Sequence, residues 1–111
     1  MANTFKSYTK ANISTTLTDA YTVPGSTTTV CIGINVSNTT GNQIVVDIKF
    51  NKADASVDDI YLIRNMPIPN GSSYEFIAGS KLVMETGDKI QILSDTATSV
   101  DSLISVLEQT P

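Results

Sequence analysis

Histidine and tryptophan are missing from this chain of 111 residues, and cysteine occurs once. Without His the usual proton carrier near neutral pH is absent, and without Trp the broadest stacking platform for a sugar is absent. The single cysteine, Cys31, cannot close an internal disulfide; it lies in the apolar run Val30-Cys31-Ile32 and reads as a buried small hydrophobe rather than a nucleophile. Basic side chains are scarce as well. Seven Lys and Arg against eleven Asp and Glu leave a net charge of −4, without the clustering of cations that a nucleic-acid phosphate backbone requires. There is no Gly-rich phosphate loop, no Gly-x-Ser-x-Gly elbow and no Cys/His set at metal spacing. Carboxylate pairs remain, but a glycosidase needs two of them across a cleft, and most of a chain this short is committed to its core. The expectation is a non-enzymatic protein with no cofactor and no metal. Met1-Ala2-Asn3-Thr4-Phe5-Lys6 has no apolar signal-peptide core, and no apolar run is long enough for a membrane span. Folding in a reducing cytoplasm, with no nucleic-acid or membrane partner, is therefore expected.

What is present points to strands. Hydrophobic residues make up 41% and charged residues 16%, too apolar and too weakly charged for a disordered chain. Ser, Thr and Asn fill most other positions, which favours strands and turns over helices. Four Asn-X-Ser/Thr sequons, at Asn12, Asn35, Asn38 and Asn70, read as by-products of that composition. From Met66 to Ile92 short apolar runs end at polar clusters containing glycine: Ile68-Pro69-Asn70-Gly71-Ser72, Ala78-Gly79-Ser80 and Thr86-Gly87-Asp88 separate strands over 74–77, 81–85 and 89–94.

The rest of the chain repeats that design. Residues 1–18 are polar, with Phe5, Tyr8, Ile13 and Leu17 at no fixed period, and read as an extended N-terminal arm or edge strand ahead of a domain over 19–111. A strand over 19–23 leads to the turn Val23-Pro24-Gly25-Ser26, which resembles the later Ile-Pro-Asn-Gly-Ser turn. In the strand over 27–38, Val30, Ile32, Ile34 and Val36 alternate with Thr29, Cys31, Gly33 and Asn35, predicting the first set inward. After a turn at Thr39-Thr40-Gly41-Asn42, Ile44, Val46, Ile48 and Phe50 alternate with Asp47 and Lys49. The loop over 51–58, with Asp54, Asp58 and Asp59 nearby, lacks EF-hand spacing and reads as a solvated acidic loop. A strand over 59–66 must end or lie at an edge where Pro67 and Pro69 occur. The segment 99–109 fits both a helical and a strand period, and its β context and Val, Ile and Ser content favour a strand. The expected fold is an all-β antiparallel sandwich, jelly-roll-like, of about seven or eight strands. Its expected core is Val30, Ile32, Ile34, Ile44, Val46, Ile48, Phe50, Ile60, Leu62, Phe76, Leu82, Met84, Ile90 and Ile92.

The order of elements carries a resemblance. A polar arm, Val-Pro-Gly-Ser, a strand ending in Asn-x-Thr/Ser-Gly, Ile-Val-Val-Asp-Ile-Lys-Phe, Ile-Pro-Asn-Gly-Ser-Ser, Lys-Leu-Val-Met-Glu-Thr-Gly-Asp-Lys-Ile and a final Ser-Val-x-x-x-Ile-Ser-Val-Leu-Glu resemble small virion structural proteins of tailed bacteriophages over about Tyr21 to Glu108. The resemblance implies a capsid decoration or cement protein, or a neck, tail or head-fibre component. It also implies copies of itself, with a trimer favoured, and the major capsid protein or another virion protein as partners, in a virion assembled in the bacterial cytoplasm. No catalytic residues come with it. Candidate contact residues are Phe5, Lys6, Tyr8, Lys10 and Ile13 on the arm, which lacks a face of its own to bury, together with Tyr61 and Tyr74. The competing expectation is a carbohydrate or cell-surface binding module, for which the exposed aromatics are few.

Overall fold

A computed structural model describes residues 2–76 and 81–111. Among them nine strands form two antiparallel sheets: β1 (Ala2–Ile13), β2 (Thr18–Thr22), β3 (Thr28–Asn38), β4 (Ile44–Asn51), β5 (Ile60–Ile68), β6 (Ser73–Phe76), β7 (Leu82–Met84), β8 (Lys89–Ser94) and β9 (Val100–Thr110). The chain is an all-β sandwich, and 99–109 resolves to strand. Ile77 and the turn expected at Ala78-Gly79-Ser80 lie outside the described residues.

One sheet, called A here, has the order β1-β9-β3-β6, with β7 also paired to β3; the other, B, has the order β2-β8-β4-β5. The pairs nest, since β4 meets β5, β3 meets β6 and β7, β2 meets β8 and β1 meets β9. A long hairpin folded in this way, its strands dealt alternately to two sheets, is a jelly roll. The inner faces bury Ile34, Val36, Ile44, Val46, Ile48, Ile90, Ile92, Ile104 and Val106, among others. Turns are fastened by side chains. The buried Asn38 amide donates to the Asn42 carbonyl at 2.7 Å and the Ile68 carbonyl at 3.0 Å, while its oxygen accepts from the Thr40 backbone and hydroxyl, both at 2.8 Å.

Two groups of expected core residues sit elsewhere. In β3 the pairing with β9 slips between Cys31 and Gly33, so Ile32 is an extra residue, a β-bulge. Before the bulge Thr29 and Cys31 face inward and Val30 faces outward; after it Ile34 and Val36 face inward. Ile32 is therefore 39% exposed rather than in the core, and the expected assignment of faces is reversed over 29–32. In β5 Ile60 begins an edge strand opposite Phe50 and is 51% exposed, with no further strand beyond it among the described residues. Irregular pairing between β4 and β5 on both sides of Ile48, and a left-handed Asn65 (φ 56°), bend this edge, which also carries Pro67. Those are features that blunt a free sheet edge against further pairing.

The segment expected as an arm runs along the molecule's own sheet. β1 pairs with β9 from Ala2↔Thr110 to Lys10↔Ser102, slips once, and resumes at Ile13↔Val100. Ile13 is part of the core.

Candidate assembly interface

The buried ionisable groups do structural work. Tyr8 on β1 and Tyr21 on β2 both donate to Glu108 Oε2 on β9, at 2.7 and 2.8 Å, with their rings 4.7 Å apart. Tyr21 has one proton and gives it to Glu108, so the contact with Thr29 Oγ1 at 2.8 Å requires Thr29 to donate. Lys6 Nζ stands 3.7 Å from the other carboxylate oxygen. Burial weighs against the Glu108 carboxylate, but the hydroxyls of Tyr8 and Tyr21 and the charge of Lys6 outweigh it and hold the acid below its ordinary range. Burial first, then the bond to Glu108, pushes the Tyr8 phenol up to about 12 and raises Tyr21 as well. The two phenols are therefore held as donors. The cluster ties β1, β2, β3 and β9 together between the sheets.

At the same end of sheet B, where Val23 N–H donates to the Asp88 carbonyl, the Asp88 carboxylate accepts from Lys52 Nζ at 2.7 Å and from the backbone of Ala53 and Glu85 at 2.9 Å each. Burial again opposes the charge, and these donors, Ala53 N–H foremost, keep the carboxyl below its ordinary range. Bonding to Asp88 raises the Lys52 ammonium. Both groups stay ionised, which suits an ion pair that pins the β7–β8 turn and not a proton-transfer site. In the acidic loop, Asp54 accepts from the backbone and hydroxyl of Ser56 at 3.0 and 2.8 Å, and Asp59 accepts from the Lys52 backbone at 2.7 Å. Among the described residues no group of three or more His, Cys, Asp or Glu is placed to hold a metal ion.

The candidate contact residues are not brought together. Phe5 stands on the outer face of sheet A, 75% exposed. Lys6, Tyr8 and Lys10 alternate with it and point to the inner side, where Tyr8 is held by Glu108; Ile13 is in the core. Tyr61 lies on the outer side of sheet B, its ring between the Arg64 guanidinium at 4.2 Å and the Lys49 ammonium at 5.7 Å. Tyr74 is half-buried beside Phe76, opposite the inward Val36.

The register assembles a surface that the sequence reading did not foresee. Phe5 pairs with Leu107, Leu107 with Val30, and Val30 with Val83. All four point outward, so one apolar row crosses sheet A from edge to edge, with Val83 62% exposed and Ile32 alongside. Two rows further along the strands, Leu103 is 41% exposed between Thr9 and Asn35, where a shallow groove of about 360 Å³ opens. The intervening row is Ser7, Ser105 and Gly33. Lys81-Leu82-Val83-Met84 held the signal for one member: with Leu82 and Met84 inward, Val83 must face out.

No protein-family model matches the chain, and no curated protein sequence does. A solved structure of Bacillus endospore appendages, described as a novel family of disulfide-linked pili, is similar to it with a TM-score of 0.55, over 98% of this chain and 87% of that one, at 17% identity. At that identity the likeness is one of fold: a β-sandwich, here with jelly-roll strand order.

Proposed function

We propose that the chain is a non-enzymatic structural protein that works as one copy in a repeated assembly, and that the outer face of sheet A is where it makes contact. The observation that carries this reading is the row Phe5, Leu107, Val30 and Val83. Apolar side chains lie in line on an open sheet face, while Glu108 with Lys6 and Asp88 with Lys52 are engaged in tying strands and turns together. Exposed apolar patches of this kind mark contact surfaces rather than reaction sites. The particular form we favour follows the resemblance of the turn-and-strand order to tailed-bacteriophage virion proteins: a capsid decoration or cement protein that binds the capsid surface as a homo-oligomer, in virions assembled in the host cytoplasm. A second reading, a subunit of a filamentous appendage, is favoured by the fold it shares with the endospore pilus protein. The disulfide linkage of those pili has no evident counterpart, because Cys31, the one cysteine, is fully buried.

Cosedimentation of the purified chain with tailed-phage capsids, followed by electron microscopy, separates these readings. Saturable binding at a fixed ratio to the capsid protein is expected. Filaments formed without capsids would favour the appendage, and a chain that neither binds nor polymerises would overturn both.

A further inference from the structure

The outer face of sheet A is complementary to itself. We propose that it pairs with the same face of a second copy, about a two-fold axis crossing the strands at the row Ser7, Ser105 and Gly33. This rests on the assembly reading above and names its surface and partner.

Three observations favour a second copy as the occupant. The first is charge. The chain carries a net −4, so two copies repel over most of their surface, but from Asn3 to Thr9 on β1 and from Gln109 to Leu103 on β9 every outward side chain is neutral. The carboxylates of this face lie on its β6 side and in the groove: Glu75 pairs with Asn35 and reaches beside Gly33, and Asp101 lines the groove, so the neutral area is the β1–β9 side up to Leu103. Like molecules approach most easily where neither is charged.

The second is shape. Phe5 is a knob at the β1 edge, and the groove beside Leu103 opens four residues further along the same strand, at Thr9. A two-fold axis perpendicular to the strands at Ser7 exchanges the Phe5 row with the Thr9–Leu103 row. Each Phe5 then falls on the groove of the other copy, as an isologous interface requires. On β1 and β9 the residues on the axis are Ser7 and Ser105, small enough for the two sheets to come close there, while toward β6 the Glu75 carboxylate lies beside Gly33.

The third is area. β3 and β9 are 11 residues long. At about 3.4 Å per residue and about 4.8 Å between strands, four strands present roughly 37 by 19 Å, or about 700 Å². Standard stable interfaces bury roughly 600–1,000 Å² on each partner, a range this face reaches when the whole of it is covered. The product is a pair rather than the trimer that the resemblance implies.

Sedimentation velocity of the full chain tests the pairing. A dimer is expected, and Phe5→Asp should weaken its dissociation constant at least tenfold while leaving thermal unfolding of the dilute monomer unchanged, because Phe5 supports nothing beneath it. Ser7→Cys supplies the geometric test. A bismaleimide with a reach of about 10 Å, the spacing of face-packed sheets, should join two copies through residue 7. The same reagent should not join copies of Thr22→Cys, exposed on sheet B, and the buried Cys31 is out of its reach. A wild-type monomer at high micromolar concentration, a Phe5→Asp dimer of unchanged affinity, or equal cross-linking through residue 22 would each overturn the proposal. A monomer whose capsid binding is lost in Phe5→Asp would refute self-pairing and leave the assembly reading standing. A dimer that neither binds capsids nor forms filaments would do the reverse.

Discussion

Replacing Tyr21 by Phe deletes one oxygen from the cluster that ties β1, β2, β3 and β9 together. That oxygen donates to Glu108 at 2.8 Å and accepts from Thr29 at 2.8 Å, and all three residues are buried. A hydrogen bond to an ionised group contributes about 1.5–3 kcal/mol and a neutral one about 0.5–1.5. The Tyr8 hydroxyl remains on the same carboxylate oxygen at 2.7 Å and limits the loss. We therefore expect a cost of about 2–4 kcal/mol, a fall in Tm of roughly 8–16 °C at about 4 °C per kcal/mol for a domain of this size. Urea unfolding should show a lower midpoint with unchanged m, since the surface exposed on unfolding is the same. The acid limb of the stability curve should also move to higher pH, because Glu108 loses one of the donors that hold its carboxyl down. In a Glu108→Gln background the same change should cost at least about 1 kcal/mol less, because the hydroxyl then meets a neutral acceptor. A Tyr21→Phe loss below about 0.5 kcal/mol, additive with Glu108→Gln, would refute the view that this carboxylate depends on its phenol donors.

Three further outcomes follow from other parts of the sandwich. Gly87 has φ +87° and its added Cβ would meet Ala53 Cβ at 2.9 Å, so Gly87→Ala should cost about 1–3 kcal/mol in chemical denaturation; Gly41→Ala, which meets nothing within 4 Å, serves as the neutral control. Ile48 is fully buried at the centre of sheet B, and Ile48→Ala should cost about 2–5 kcal/mol; a loss under about half a kilocalorie would mean the wrong face had been placed inward. Stability should be level near neutral pH and fall at both extremes. Glu108 and Asp88 have folded values below their ordinary 4.5 and 3.8, so their contribution is present above those values and lost as pH drops through the lower folded ones; Tyr8 and Tyr21 are raised above 10, so theirs is present below 10 and lost as pH climbs toward 12. Thermal midpoints measured from pH 2 to 12 check both limbs, and a rise in stability above pH 10 would contradict the alkaline one.

Where the ladder is regular, alternation was enough. In β4, Ile44, Val46, Ile48 and Phe50 are inward as their period of two requires, and β4 pairs with β8 without a slip. In β3 the same template misplaced Val30 and Ile32, because one inserted residue at Ile32-Gly33 reverses the parity on either side of it. A glycine inside a strand is itself a signal of such a bulge, so the correction was within reach of local reasoning. The surface row was not. Phe5, Leu107, Val30 and Val83 lie far apart in the chain, and only the pairing register places them in line. The Glu108 cluster falls between these cases: once 99–109 is read as a strand, Val100, Ile104, Val106 and Glu108 share the inward side, and a carboxylate there must find donors, though nothing local identifies them as Tyr8 and Tyr21.

β1 shows why a segment can look like a free arm and yet be part of the sheet. Its apolar residues have no common period because they serve two surfaces. Tyr8 and, after the slip beyond Lys10, Ile13 face the core, whereas Phe5 faces out. Its hydrogen bonds go to β9, about a hundred residues away, so nothing in the neighbouring sequence reveals the pairing. The two sides of β1 are therefore separable by experiment. Changes at Tyr8 or Ile13 loosen the strand from β9 and the core, while changes at Phe5 alter only what the sheet presents to a second molecule. Deleting the whole segment would do both at once, exposing the edge of β9 and opening the core at Ile13, so loss of assembly in a truncated chain would not by itself show docking. The single substitution at Phe5, made on an intact strand, isolates the contact from the fold.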